Sequence, residues 1–369
     1  MRNEFDSHFM KIALNQARKG EGRTSPNPCV GAVLVKGHEI VGRGYHKKAG
    51  TPHAEIHALA DAGSQAQGAT MYVTLEPCNH TGKTPPCSHA VAKAGVSRVV
   101  VGMRDPNPLV DGSGIDYLQE HGIEVHSGVL EAQCRTINLP FLKHITTGLP
   151  YLIMKAGISL DGKLNYESGT SGWITGTESG KYVHRLRNRY DSIMVGCNTV
   201  LIDNPSLTTR LAKGQGRDPV RVILDRELRI PLNAKVFSAT SGAYCWIFCS
   251  KDADENKIDQ LQRKGVKVSR ISHLSETELD LPEMLKLIGK AGICSVLIEG
   301  GAALHGSFMR QKLFDYAYLF QAPLFAGEEG LSLISGYSAR GKAEASFLKD
   351  AQYKKLGKDI VIHGALSYP

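Results

Sequence analysis

Short apolar runs rich in β-branched residues alternate with segments of helical spacing along most of this chain. The N-terminal part begins with a predicted helix over 7–19 that stops at Gly20, followed by two strands within residues 29–46 that turn at Lys36-Gly37. The elements predicted after these are helix 53–62, strand 70–75, helix 87–94, strand 97–102, helix 112–121 and strand 123–127. Strands separated by helices form sheets covered on both faces, so the pattern predicts an α/β fold.

The alternation is interrupted at Gly148 and Pro150 and then starts again. The second series comprises strands 151–158, 191–196, 220–225, 243–249, 266–270, 294–299 and 315–320, and helices 255–264, 282–290 and 302–311. A chain of 369 residues is expected to form about two domains. We therefore predict domains at residues 1–148 and 149–369, without an internal repeat.

Composition and charge restrict the class of protein. The chain is 42% hydrophobic and 22% charged, with a formal net charge of +8, no dense Lys/Arg block and only 7% aromatic residues. This argues against a nucleic-acid-binding stripe, and the mild positive charge fits an anionic small molecule or plain solubility. The N-terminus lacks the features of a signal peptide, and no apolar run reaches the roughly 18 residues of a membrane span. We expect a cytoplasmic protein with neither membrane nor nucleic acid as partner.

Four residues with metal-site chemistry occur in two short runs, HAEIHALADAG and EPCNHTGKTPPC. His53, Cys78 and Cys87 supply three ligands of the kind zinc prefers, and a catalytic zinc site leaves its fourth position to water. Glu55 lies at the start of a predicted helix, where it can stay off the metal and transfer protons. Cys87 also begins a predicted helix, whose dipole favours a thiolate. The pattern favours an open, catalytic zinc site.

A closed structural zinc site is the alternative, and His57 or His80 could supply its fourth ligand. The unevenly spaced cysteines do not suggest a disulfide framework. Six of the eight lack ligand-type neighbours and are interpreted as small buried hydrophobic residues: Cys29, Cys134, Cys197, Cys245, Cys249 and Cys294.

The order His-x-Glu, Pro-Cys, Cys resembles the zinc-dependent nucleoside and nucleobase deaminases. Eight residues separate Cys78 from Cys87, which is longer than the usual Pro-Cys-x-x-Cys spacing. In this longer form, and in the run TSPNPCVGAVLV over 24–35, the chain resembles the bifunctional deaminase/reductase family of riboflavin biosynthesis. The resemblance implies an N-terminal cytidine-deaminase-like α/β/α sandwich and a C-terminal dihydrofolate-reductase-like α/β domain.

For the N-terminal domain, the resemblance implies that zinc binds the histidine and both cysteines and that Glu55 donates and accepts protons. It further implies that Asn27, His46 and Lys83 line the substrate pocket. From the residues alone, Lys83 in the loop between the cysteines suits a phosphate, or is simply an exposed lysine.

The second domain shows no nucleophile triad, metal cluster or G-x-G-x-x-G motif, but three of its runs are unusual. The first, KAGISLDGKLNYESGTSGWITG, follows a strand into a Gly-rich turn. The second, VGCNTVLIDNPSLTTR, is interpreted as a polar loop after a strand. The third, VLIEGGAALHGSF, indicates strand, Gly-Gly, then helix, and the N–H groups at such a helix start suit phosphate.

The resemblance implies that this domain uses NADPH. Carried over by position, the cofactor contacts are Gly157, Trp173, Thr199, Asp203, Gly301, Ala302, Ala303, Leu304, His305, Gly306 and Ser307. The substrate contacts are Ser171, Arg187, Leu207, Arg210 and Glu299. Arg226 departs from the small polar residue that some relatives have near the cofactor. Lys155, in an apolar strand, is our candidate for a catalytic group near the sugar C1.

The sequence thus predicts a zinc-dependent deaminase fused to an NADPH-dependent reductase, acting in turn on a phosphorylated pyrimidine, and expected to be a homo-oligomer. Two alternatives stay open. A tRNA-editing or cytidine deaminase shares the metal residues, although it leaves residues 150–369 unexplained. A zinc-stabilised nucleic-acid-binding module fits the positive charge and predicts a fourth protein ligand.

Overall fold

The computed structural model describes residues 2–79, 85–107, 112–212, 216–238, 241–275 and 278–369. The chain divides into two compact units, Met1–Gly148 and Leu149–Pro369. Each is built on one mixed sheet flanked by helices, so the predicted α/β class is confirmed. Among the described residues, no helix combines the length and the apolar character needed to cross a membrane.

The first unit contains a five-stranded sheet. Its elements are α1 (Arg2–Ala17), β1 (Gly31–Lys36), β2 (Glu39–Tyr45), α2 (Ala54–Ala62), β3 (Thr70–Val73), α3 (Cys87–Lys93), β4 (Arg98–Val101), α4 (Ser113–Glu120), β5 (Glu124–Ser127), α5 (Glu131–Ile137) and α6 (Leu139–Thr147). The strand order is β2-β1-β3-β4-β5, with β1 antiparallel to both neighbours and β3 to β5 parallel. All residues of β1 except the last are buried, so both faces of this strand are covered.

Helix α2 lies directly against β2. A Cβ atom at Gly44 would lie 2.1 Å from the carbonyl oxygen of Ala54, and one at Gly42 would lie 2.3 Å from that of Ala58. Only glycine permits this approach of the two backbones. The packing fixes the start of α2, where the predicted metal ligand and proton-transfer residue are found.

Two helices of the first unit are absent from the sequence prediction, and one begins earlier than predicted. Helix α1 starts at Arg2 rather than at residue 7, with Phe5 packed against the core. Helices α5 and α6 are short, and α6 buries only Leu142. Segments this short show too few buried positions for a helical period to emerge.

The second unit contains a nine-stranded sheet. Its elements are β6 (Tyr151–Ile158), α7 (Thr177–Arg189), β7 (Ser192–Gly196), α8 (Cys197–Asp203), β8 (Val220–Leu224), β9 (Cys245–Ser250), α9 (Glu255–Arg263), β10 (Lys267–Ile271), α10 (Leu281–Lys290), β11 (Ser295–Ile298), α11 (Ala302–Arg310), β12 (Tyr316–Gln321), β13 (Phe347–Leu356) and β14 (Asp359–Ser367). The order is β10-β9-β8-β7-β11-β6-β12-β14-β13. The first seven strands in this order are parallel, and β14 and β13 add an antiparallel hairpin.

Helix α8 corrects the prediction of a polar loop after β7. It spans Cys197–Asp203, buries Val200 and ends at Asn204, whose left-handed backbone (φ 42°) stops the helix. With a single buried position in seven residues, the helix carries no readable period in the sequence. The hairpin β13–β14 was also not predicted, because β13 is exposed along most of its length and lacks alternation.

Candidate functional site

The predicted metal ligands of the first unit lie together. His53 is the N-cap of α2, Cys78 follows β3, and Cys87 is the first residue of α3. Their ligand atoms are all within 4.8 Å of one another, with His53 Nδ1 3.2 Å from Cys87 Sγ and 3.5 Å from Cys78 Sγ. Zinc bonds of about 2.0–2.3 Å in a tetrahedron separate neighbouring ligand atoms by roughly 3.5 Å. The three residues therefore fit a zinc ion.

A fourth protein ligand is not found among the described residues. His57 lies on α2 but is not a member of the ligand group, and His80 lies outside the described residues. Three ligands leave one coordination position for a water molecule, as in catalytic zinc sites. The described residues thus favour the open site over the closed structural one.

The hydrogen bond between the two cysteines makes one thiol easy to deprotonate and the other difficult. The hydrogen bond from the Cys87 thiol lowers the pKa of Cys78 to about 4. The same bond, together with burial, raises the pKa of Cys87 well above its usual range. The hydrogen bond to Cys78 also raises the pKa of His53. A second thiolate becomes favourable once a divalent cation supplies positive charge, because metal binding displaces thiol protons.

Glu55 lies in the first turn of α2, next to this cluster. Its side chain is 3% exposed, and Oε2 has no hydrogen-bond partner among the described residues. Burial raises the pKa of Glu55 to about 7. A buried carboxyl oxygen without a partner is costly, so Oε2 is suited to accept a hydrogen bond from a water molecule or a substrate group.

Asn27 and His46, the two predicted pocket residues of the first unit that the structure describes, contact each other. Asn27 Nδ2 is 3.2 Å from His46 Nε2, and His46 Nδ1 is 3.3 Å from the carbonyl oxygen of Pro52. Burial lowers the pKa of His46, which favours the neutral ring with a single N–H. That N–H is assigned to Nδ1, since the Pro52 oxygen only accepts, and Nε2 then accepts from the Asn27 amide. Asn27 therefore keeps Oδ1 as an acceptor for a ligand. Lys83 lies outside the described residues.

A cleft of about 950 Å³ opens in the second unit. Its wall includes Gly157 of β6, Gly196 of β7 and Leu224 of β8, so it lies at the carboxyl ends of parallel strands, the usual ligand edge of such sheets. Fourteen predicted residues line it: Lys155, Gly157, Ser171, Trp173, Arg187, Thr199, Asp203, Leu207, Glu299, Gly301, Ala302, Ala303, Leu304 and Ser307. At Gly196 and Gly301, an added Cβ would meet no protein atom within 4 Å, which leaves room for a dinucleotide beside the backbone.

Three predicted residues do not line this cleft. His305 is 0% exposed and its Nδ1 lies 3.2 Å from the Leu333 oxygen, while a Cβ at Gly306 would lie 1.7 Å from the Ser335 oxygen. Both are on the packed side of α11, because consecutive helical residues turn by about 100° and cannot all face one ligand. Arg210 is exposed outside the cleft wall, and its backbone N–H donates to His184 Nδ1.

Arg187, Glu299 and Lys155 form a buried charged cluster at the cleft wall. Arg187 donates to both oxygens of Glu299 at 2.8 Å, and Lys155 Nζ lies 3.5 Å from Oε2. Burial acts to raise the pKa of Glu299, but the charges of Arg187 and Lys155 prevail and lower it to about 2. Two cations around one anion leave a net positive charge facing the cleft. Arg187 thus lies at the cleft wall with its charge paired.

Two cleft arginines follow β8. Arg226 and Arg229 both line the cleft, and Arg229 Nη2 donates to Asn198 Oδ1 at 2.7 Å. The carboxylate of Asp225 accepts from the backbone N–H of Arg229 and Ile230 and so shapes the turn. Arg226 was noted in the sequence as a departure, but the sequence analysis did not single out Arg229 or Asn198 as cleft residues. Arg229 follows β8 and Asn198 belongs to the short helix α8, and neither lies in a sequence pattern that points to a cleft.

Comparison with known proteins agrees with this division of the chain. Residues 3–103 match the model for the cytidine and deoxycytidylate deaminase zinc-binding region, and residues 150–362 match that for the RibD C-terminal domain. The riboflavin biosynthesis protein RibD of Bacillus amyloliquefaciens is 45% identical over 96% of this chain and 95% of its own length. The RibD of Aquifex aeolicus is 44% identical over 98% of this chain and 99% of its own length.

Solved structures show the same similarity over the whole chain. Acinetobacter baumannii RibD superposes with a TM-score of 0.89 at 36% identity, covering 99% of both chains. A Thermotoga maritima protein superposes with a TM-score of 0.86 at 34% identity over the full length of both chains, and it is described as a diaminohydroxyphosphoribosylaminopyrimidine deaminase/5-amino-6-(5-phosphoribosylamino)uracil reductase. A deaminase that acts on tRNA or cytidine alone does not account for the match of residues 150–362 to the RibD C-terminal domain. The chain belongs to the RibD family, the bifunctional deaminase/reductases of riboflavin biosynthesis.

Proposed function

We propose that residues 1–148 hydrolyse the exocyclic amine of 2,5-diamino-6-ribosylamino-4(3H)-pyrimidinone 5′-phosphate, and that residues 149–369 reduce the ribosyl chain of the product, 5-amino-6-(5-phosphoribosylamino)uracil, to ribityl with NADPH. The observation that carries the proposal is the three-ligand cluster beside the unpartnered oxygen of Glu55. The description of the Thermotoga maritima relative supports the choice of substrate.

In the deaminase site, His53, Cys78 and Cys87 hold zinc. When bound, zinc acts as a Lewis acid that lowers the pKa of a water molecule at its open coordination position. Glu55 takes one proton from the attacking water and delivers it to the ring nitrogen, and it then carries the second proton, from the hydroxyl formed on the ring carbon, to the leaving amine. A buried carboxyl with a pKa of about 7 is suited to both transfers. Water oxygen bonds to the ring carbon, the carbon–nitrogen bond breaks, and ammonia leaves.

Asn27 orients the pyrimidine in this site. Because the amide nitrogen of Asn27 donates to His46 Nε2, Asn27 presents its amide oxygen Oδ1 to an N–H donor on the substrate ring. His46 acts through Asn27 by fixing which way the amide points. Lys83 is proposed as the contact to the substrate phosphate.

In the reductase cleft, NADPH supplies the hydride. Lys155 would donate a proton to the ring oxygen as the bond between that oxygen and the sugar C1 breaks, and C1 would receive the hydride. Glu299 orients Lys155, and the net positive charge of the cluster with Arg187 suits the oxygens of the phosphorylated sugar. Arg210 lies beside His184 and near this cluster, where it is proposed to meet the substrate phosphate.

Arg226 and Arg229 are proposed to bind the 2′-phosphate that distinguishes NADPH from NADH. Both arginines line the cleft together with Asn198 and Thr199, and Arg229 is hydrogen-bonded to Asn198. Guanidinium groups bind phosphate oxygens through paired, charge-assisted hydrogen bonds. In this chain Arg226 thus supplies a contact of its own rather than losing one.

The proposal also covers the cellular location, the oligomeric state and the partners of the enzyme. We expect a cytoplasmic homo-oligomer that does not bind nucleic acid. Light scattering after gel filtration measures the oligomeric state, and RNA binding that weakens steeply with salt would contradict the last expectation.

The test is product analysis by mass spectrometry after incubation of zinc-replete protein with the diaminopyrimidine ribosylamino phosphate and NADPH. Wild type is expected to give the deaminated and reduced product, and Glu55→Ala to leave the starting material intact. Deamination without reduction would refute the reductase assignment alone. No reaction by folded, zinc-replete wild type would refute both.

A further inference from the structure

A second buried carboxylate of the first unit, Glu76, lies two residues before Cys78 and has no part in the reaction described above. Its side chain is 3% exposed. In the described part of the chain, no lysine, arginine or histidine side chain pairs with it, and its partners are four backbone N–H groups. A buried negative charge held only by backbone amides calls for an explanation.

The four N–H groups come from the loop that leads into α4 and from its first turn. Asp105 and Gly112 donate to Oε2 at 3.3 Å each, and Gly114 and Ile115 donate to Oε1 at 3.1 and 3.3 Å. Gly112 is the N-cap of α4. Glu76 therefore satisfies the N–H groups left open at this helix start and lies at the positive end of the helix dipole.

The same contact restrains the backbone that leads to Cys78. A Cβ at Gly114 would lie 1.9 Å from the carbonyl oxygen of Pro77, so the start of α4 packs directly on that peptide. On its other side, the Cys78 carbonyl accepts from the Ser88 N–H at 3.2 Å, and Cys78 Sγ lies 3.5 Å from the Cys87 nitrogen. The short segment that carries Cys78 is thus held between the starts of α3 and α4.

We infer that Glu76 is a positioning residue for the metal centre. By tying the Pro77-Cys78 backbone to α4, it holds the Cys78 thiolate where the ion requires it, while touching no reacting atom itself. The inference rests on the proposed zinc site. Outer groups that hold a ligand in place are worth about 10- to 100-fold in metal affinity.

Glu76→Gln tests the inference at nearly constant size. Glutamine offers one carbonyl oxygen, and its amide nitrogen would face two N–H donors that then lose their acceptor. We expect zinc affinity, measured by chelator competition, to fall about 10- to 100-fold, and the absorption of the cobalt-substituted protein to change. Glu76→Asp keeps the charge and both oxygens and is expected to recover part of the affinity.

Asp6→Asn is the matched control. Asp6 is a buried carboxylate of the same unit, whose partners are Arg98 at 2.8 Å and the Tyr72 hydroxyl at 2.9 Å. This variant is expected to lower the melting temperature of the first unit without changing its zinc affinity or its cobalt spectrum.

Wild-type affinity and spectrum in Glu76→Gln would overturn the inference and leave the zinc site standing. Equal losses of affinity in Glu76→Gln and Asp6→Asn would also overturn it, because general destabilisation would then be the cause. Wild-type protein that binds no zinc would overturn the metal centre itself, and the inference with it.

Discussion

The cluster of Lys155, Glu299 and Arg187 shows how a buried charge gains a function through its partners. Glu299 keeps its negative charge because two cations surround it, and only one of them, Arg187, is bound bidentately. Lys155 makes a longer contact of 3.5 Å, and its side chain is 15% exposed. The arginine holds the carboxylate in place, and the lysine is the member suited to reach a ligand.

Lys155→Met should abolish reduction without unfolding the second unit, since the Arg187–Glu299 pair remains. We expect the rate at which the deaminated intermediate is reduced to fall by about 10²-fold or more, while the rate of deamination is unchanged. The oxidation of NADPH measures the reduction rate. Lys181→Met, at an exposed lysine of α7, is the control. Undiminished reduction by Lys155→Met would rule out its role.

Arg226→Ser should reduce the preference for NADPH over NADH. Loss of a charge-assisted hydrogen bond of about 1.5–3 kcal/mol weakens NADPH binding roughly 10- to 100-fold and leaves NADH binding unchanged. Fluorescence titration with the two cofactors measures both dissociation constants, and Arg263→Ser, on the exposed end of α9, is the control. Equal weakening of both cofactors would contradict the 2′-phosphate contact.

At the scale of single elements, α11 and the hairpin β13–β14 show the limit of a sequence pattern. The Gly-Gly turn and the helix after it were predicted, but which residues of α11 face the cleft depends on the packing of its other side against Leu333 and Ser335. Among the described residues, the hairpin contributes none to the cleft wall. The first residue of β14, Asp359, nevertheless accepts from the Gly176 N–H at 2.7 Å and the Ser179 hydroxyl at 2.5 Å. The hairpin thus secures the start of α7.

Asp359→Asn should therefore destabilise the second unit by about 1–3 kcal/mol, because both donors bond to the charged oxygen Oδ2 and hydrogen bonds to a charged acceptor are stronger than those to a neutral amide oxygen. Both tryptophans, Trp173 and Trp246, belong to this unit, so urea unfolding followed by their fluorescence reports on it alone. Asp259→Asn, at an exposed position of α9, makes the same charge change and should leave the midpoint in place. Equal midpoints for both variants would contradict the role of Asp359.

At the scale of the whole molecule, the chain carries two separate chemical centres, each within its own compact unit. The described metal ligands all belong to the first unit, and the described cleft residues to the second. Variants in one centre should therefore leave the other activity intact, which makes each half of the chain an internal control for the other.

The stability of the second unit should depend on pH through His305. Burial lowers the pKa of this fully buried ring to about 4. As the pH falls below about 6.5, His305 becomes protonated in the unfolded chain, whereas in the folded chain it stays neutral until about pH 4. The free energy of unfolding therefore decreases by about 1.4 kcal/mol per pH unit over that interval.

His305→Asn keeps a donor for the Leu333 oxygen. Between pH 6.5 and 4, the free energy of unfolding of this variant should decrease by about 3 kcal/mol less than that of the wild type, whatever the variant's absolute stability. Urea unfolding followed by tryptophan fluorescence at several pH values measures the slope. His273→Asn, at a partly exposed histidine of the same unit, is the control. An unchanged slope in His305→Asn would show that the ring is not the titrating group.

The sequence by itself determined the α/β class, the order of most elements and the identity of the metal-type residues, because apolar periodicity and ligand chemistry are local properties of the chain. It did not determine short helices such as α8 or the exposed hairpin, whose residues show no period. Only the tertiary structure decided which side of α11 faces the cleft, that Arg187 pairs with Glu299, and that Glu76 holds the Cys78 segment against α4. These contacts join residues far apart in the chain, and packing rather than local pattern brings them together.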